Sequence, residues 1–220
     1  MNEDQLSEAP EFPTKPFLLL LLLLALAVIA GVSLVFTAWC WPRYGEQACG
    51  RYVLPVDFVM SLVIFTLVAL VFDQPWGRLI LYGLAISAAM ILGSLVGRLI
   101  LRAPALPFRS ALDFLNYLAG ALMRLIYPNL LQVLVPAAVL RGLLRRDWER
   151  ITLPSAAAFG VMIGVIFTLF FAGLFWLASV IQPGSVAPGY IFTWNDFLSA
   201  LTQGLAACLG VLLGKALRTL

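Results

Sequence analysis

Between Ser110 and Pro128 the chain reads SALDFLNYLAGALMRLIYP, and its polar groups recur at helical spacing. Asp113, Asn116, Tyr117, Gly120, Arg124 and Tyr127 fall on one stripe, with Leu, Phe, Met and Ile around the rest of the helix. Ionisable groups within a membrane span are costly and face a cavity, a partner or the headgroups. Asp113 and Arg124 stand three turns apart, about 16 Å along the axis, so they do not pair within one helix. Arg109 is the local partner available to Asp113. Arg124 has none, which leaves headgroups, a neighbouring helix or an anionic ligand. Continued by Asn129 and Gln132, the stripe reads as a polar groove for a solute or a lipid headgroup. The competing reading is an interfacial helix whose arginine snorkels to phosphate.

The stripe needs a membrane frame. The chain has 220 residues, 62% of them hydrophobic and only 11% charged, whereas soluble domains carry roughly 25% charged residues. Apolar runs at 17–39, 56–72, 78–101, 152–181 and 197–217 each approach or exceed the roughly 20 residues that cross a bilayer as a helix. Backbone groups in lipid must be satisfied within the segment, and no alternating pattern suggests a barrel. The fold class is therefore an all-α, polytopic transmembrane bundle with six or seven crossings. It forms a single transmembrane domain over 17–220, behind a disordered acidic tail at 1–16.

Residues 110–143 decide the number of crossings. Pro128 and Pro136 interrupt them, which predicts a helical hairpin turning at Tyr127-Pro128-Asn129, or an interfacial piece followed by a span. With the N-terminus outside and a hairpin, Arg43, Arg51, Arg98, Arg102, Arg109, Arg141, Arg145, Arg146, Arg150, Lys215 and Arg218 all lie inside, and only Lys15 and Arg78 outside. With six spans and the N-terminus inside, eight basic residues lie inside and Arg43, Arg51, Arg98, Arg102 and Arg109 outside. The positive-inside rule favours the seven-span arrangement. Against it, Cys40 and Cys49 in the loop WCWPRYGEQACGRY form a candidate disulfide pair suited to an exported loop.

Other features bear on packing and chemistry. Gly93 and Gly97, Gly160 and Gly164, and Gly210 and Gly214 are pairs of small residues four apart, a spacing that lets helices approach closely. Asp57 follows Pro55 at the start of a span and reads as a helix cap, with proton coupling as the alternative. Arg141–Arg150 is a basic juxtamembrane stretch that anchors orientation or meets anionic lipid.

Histidine is absent, which removes imidazole metal sites and Ser-His or Cys-His dyads. No C-x-x-C motif and no phosphate-binding glycine loop occurs, so no metal, no cofactor and no catalytic set is expected. The net charge of +3 reflects arginines at membrane edges rather than a nucleic-acid surface. Two functions remain: a small transport or solute/lipid-binding membrane subunit using the groove at 110–132, or a non-catalytic scaffold or assembly subunit. A lipid-modifying enzyme has the weaker case. The expected partners are membrane lipid and other membrane subunits or further copies, in a bacterial-type inner membrane.

Overall fold

The computed structural model describes residues 15–100, 111–144, 147–181 and 194–219. Among them there are six long α-helices and no strand. These are α1 (Lys15–Val35), α2 (Trp41–Val71), α3 (Trp76–Ile100), α4 (Ala111–Leu144), α5 (Leu153–Ile181) and α6 (Trp194–Arg218). A π-helical segment, Phe36–Cys40, joins α1 to α2, and a 3-10 turn, Trp148–Arg150, precedes α5. Five of the helices contain a stretch long and apolar enough to cross a membrane: Pro16–Val35, Leu54–Val71, Trp76–Gly97, Leu153–Phe170 and Phe197–Arg218.

Two expectations change here. Residues 110–143 make no hairpin: α4 is one 34-residue helix through both Pro128 and Pro136. An interior proline removes one intrahelical hydrogen bond, but membrane helices tolerate it because neighbours take up the freed backbone group. The hairpin that the seven-span arrangement required is therefore not formed, and the described residues contain six long helices, five of them apolar enough to span a membrane. The Cys40–Cys49 loop is also helical, divided between the π segment and the start of α2. The side chains of Cys40 and Cys49 lie outside the described residues.

The chain must reverse between α1 and α2. A straight helix from Ala30 to Val71 would run about 60 Å, yet Ala30 touches Gly93, only about 25 Å along α3 from the turn at 72–75. Successive helices thus alternate in direction, with α2, α4 and α6 mutually parallel. The principal contacts are α2 on α6, α5 on α6, α1 on α3 and α3 on α4.

Small residues set these contacts. A Cβ on Gly160 would lie 2.5 Å from the carbonyl oxygen of Gly204, and one on Gly164 would lie 3.0 Å from that of Ala200, so α5 and α6 meet backbone to backbone. Gly210 and Gly214 seat α6 on α2, against Phe65 and Ala69. Gly93 admits the Ala30 carbonyl, and Gly97, one turn on, is buried. In lipid such close approach replaces the hydrophobic effect as the main source of helix association. Phe65, Phe72, Phe159, Ile64 and Leu140 fill the space between the seams. Phe65 and Phe159 meet edge to face, with ring centroids 6.5 Å apart.

Gly160→Ala should therefore lower stability by about 1–3 kcal/mol, the usual cost of overpacking. Gly31→Ala, which meets nothing within 4 Å, should be neutral or stabilising by about 0.5–1 kcal/mol. Thermal unfolding of the purified protein in one detergent distinguishes the two; equal effects would contradict the seam.

Candidate functional site

The polar side chains described fall into two groups, one at an end of the bundle and one inside it. At the end, α2 stops at Val71 and its last carbonyls have no helical partners. Two arginines from other helices supply them. Arg218 of α6 donates through Nη2 to the Leu70 carbonyl at 2.5 Å and to Asp73 Oδ1 at 3.0 Å. Its side chain is 4% exposed, that of Asp73 is 16% exposed, and the guanidinium stands over the Phe72 ring. Arg141 of α4 donates through Nε to the Phe72 carbonyl and through Nη2 to that of Gln74. It lies 4.1 Å over the ring of Trp76. Lys215 donates to the carbonyls of Glu149 and Ile151, which ties the approach to α5 to α6. Thr152 and Ser155 exchange hydrogen bonds at the start of α5, a reciprocal cap.

Of the basic stretch 141–150, Arg141 thus serves α2. Arg150 forms an exposed pair with Asp147 at 2.9 Å, and Arg145 and Arg146 lie outside the described residues. The Asp73–Arg218 pair has only a faint trace in the sequence: opposite charges at the ends of two apolar spans.

Inside the bundle, Ser61, Ser87 and Asn129 are the buried polar side chains among the described residues. Asn129 Nδ2 of α4 donates to Ser87 Oγ at 3.2 Å and to Met90 Sδ at 3.2 Å on α3. Ser87 Oγ donates to the Gly83 carbonyl at 2.9 Å. Gly83 lets Leu130 approach, which closes the contact. Asn129 therefore belongs to the α3–α4 seam, while Gln132 is half-buried beside it.

Asp113, Asn116, Tyr117, Gly120, Arg124 and Tyr127 lie on the helical backbone of α4, with side chains outside the described residues. Further along α4, Asn129, Val133, Ala137 and Leu140 are buried, while Ala138 and Gly142 are exposed. Nearer its start, Leu112 and Leu115 are exposed.

Asp57 also changes role. It lies in the middle of α2, one turn from Ser61, and caps no helix end. Elsewhere an apolar groove of about 510 Å³ runs between α5 and α6, floored by Gly160, Gly164 and Gly204 and walled by Val165, Leu201 and Leu205. No group of His, Cys, Asp and Glu capable of holding a metal occurs among the described residues.

Compared with known proteins, the chain matches no family model, no curated protein and no solved structure. The fold and its polar contacts define a multi-pass membrane helical bundle.

Arg218→Ala should destabilise the bundle by on the order of 3 kcal/mol, because it strands Asp73 and the α2 carbonyls. Arg150→Ala should cost under about 1 kcal/mol, since its ion pair is exposed. Chemical unfolding in detergent or lipid measures both, and similar small effects would remove the capping role assigned to Arg218.

Proposed function

We propose that this chain is a non-catalytic assembly subunit of a larger complex in a bacterial-type inner membrane. The supporting observation is the apolar groove between α5 and α6, floored by Gly160, Gly164 and Gly204 and walled by Val165, Leu201 and Leu205, all three of them exposed. Small residues that open such a groove suit the close approach of a further membrane helix. In the sequence, Asp113, Asn116 and Arg124 add polar groups that are unfavourable against lipid tails and suit a partner with complementary ones. The transport reading has less support, because Asn129, which it places in the polar groove at 110–132, is buried against Ser87 and Met90 of α3.

The orientation assigned is basic end inward. Arg78, Arg141, Arg150, Lys215 and Arg218 share the end where α2 stops and α5 begins, and the positive-inside rule places that end in the cytoplasm.

Replacing Asp113 and Arg124 together by leucine removes the charge of the polar stripe. The variant should accumulate and melt like the parent, yet migrate on native gels from cell membranes as a smaller species. A variant that keeps the parent's full native size would exclude this face as the assembly surface.

A further inference from the structure

The transmembrane stretch of α1 is the least covered of the five and the most apolar. Ala25 and Ile29 are buried on its inner side, while Leu20, Leu24, Val28 and Val35 form an exposed ridge on another face. The groove between α5 and α6 has the opposite shape, a floor of Gly160, Gly164 and Gly204 between exposed rims. A ridge of large side chains and a groove opened by small ones are the two halves of a helix–helix contact. The principal contacts of α1 within its own bundle are with α3 and α2, so its ridge reaches such a groove only in another copy.

The two halves stand at one depth. Ala30 meets Gly93 of α3, which lies about 25 Å along the helix from Trp76 at the basic end, so Leu24 stands about 16 Å from that end. Arg218 marks the same end on α6, and Cys208 is about 15 Å from it. From Ala157 and Cys208 the groove runs about 18 Å along α5 to Leu169, and the ridge runs about 16 Å from Leu24 to Val35. Because α1 and α5 both start at the basic end, a second copy in the same membrane orientation lays its ridge along the groove.

The charges match as well. Lys215 lies two turns from Cys208 on the same face of α6, at the basic mouth of the groove. No carboxylate among the described residues pairs with it. Ahead of α1 the sequence carries Glu3, Asp4, Glu8 and Glu11, with no Lys or Arg before Lys15. In the docked copy Lys15 comes level with Lys215, and Glu11 is four residues from it, within about 14 Å of chain. Acids ahead of the ridge and a cation at the mouth of the groove favour a second copy over an unrelated apolar helix.

The geometry points to self-association of this chain, with α1 of one copy seated in the α5–α6 groove of the next and its N-terminal acids beside Lys215. This rests on the groove being the assembly surface and names its partner. Ridge and groove are different surfaces, so the contact is heterologous and builds a ring when its rotation closes.

Cysteine cross-linking in cell membranes tests this in the full chain carrying Cys40→Ser and Cys49→Ser. Leu24→Cys meets the native Cys208 of the next copy, so mild oxidation should give a ladder of dimers, trimers and larger species. Cys208→Ser should abolish the ladder. Ala88→Cys, exposed at the height of Leu24 on α3, should cross-link at least tenfold less. Glu8→Lys with Glu11→Lys should slow the reaction several-fold at low ionic strength and hardly at all at high; an unchanged rate at low ionic strength would contradict the choice of a second copy. Cross-linking of Cys208 to Cys208 without Leu24→Cys would mean a groove-to-groove dimer and overturn the proposal. Absence of the ladder overturns it too, and the parent's size on native gels then separates the two readings. A species larger than one chain leaves the groove to a different protein, whereas a single chain removes the assembly reading as well.

Discussion

The last carbonyls of α2 are the point on which the bundle depends. In hydrocarbon each helix satisfies its own backbone except at its ends, so an end must be met by water, headgroups or other side chains. Here the end of α2 is met by Arg218 from α6 and Arg141 from α4, while Trp76 and Phe72 lie under the two guanidinium groups. One terminus thereby fixes the height of three further helices, α3 included. Lys215 extends the same logic to the approach to α5. Cations suit this position because the carbonyl end of a helix carries partial negative charge.

Above that end the helices are held by shape. Gly160 meets Gly204, Gly210 and Gly214 meet α2, and Gly93 meets Ala30. These contacts are backbone against backbone, so they fix both register and distance. The polar groups within the membrane follow from that register. Ser87 and Asn129 meet across one seam, while the groove between α5 and α6, on which the assembly reading draws, is lined almost wholly by apolar side chains.

Much of the frame was legible in the sequence because it depends on local patterns. Long apolar runs identify membrane helices, and small residues four apart mark the α2–α6 and α5–α6 seams. Gly204 was missed because its partners in spacing are Ala200 and Cys208, a less conspicuous small-residue series. What failed depended on long-range contacts. Pro128 and Pro136 look like breaks, yet packing of Asn129–Leu144 on α3 carries α4 through them. Arginine counting favoured seven spans through Arg43, Arg51, Arg98, Arg102 and Arg109 alone, since Arg141 and Arg218 lie inside in either arrangement, and such a count carries no information on the course of residues 110–143. Asp57 looked like a cap because Pro55 suggested a helix start, whereas α2 begins at Trp41. The Asp73–Arg218 and Ser87–Asn129 pairs join residues far apart in the chain, and nothing in local spacing announces them.

The frame of the bundle depends most heavily on α4 being one helix. Its continuity runs through Pro128 and Pro136 and brings Arg141 to the end of α2. Leu112 and Leu143 are both exposed near its two ends, so spin labels replacing them leave the core intact. Pulsed electron-spin resonance on the protein in nanodiscs should give a distance centred near 45 Å, the length of the intervening helix at 1.5 Å per residue. A distance below about 20 Å, as two antiparallel arms of a hairpin would give, would contradict it.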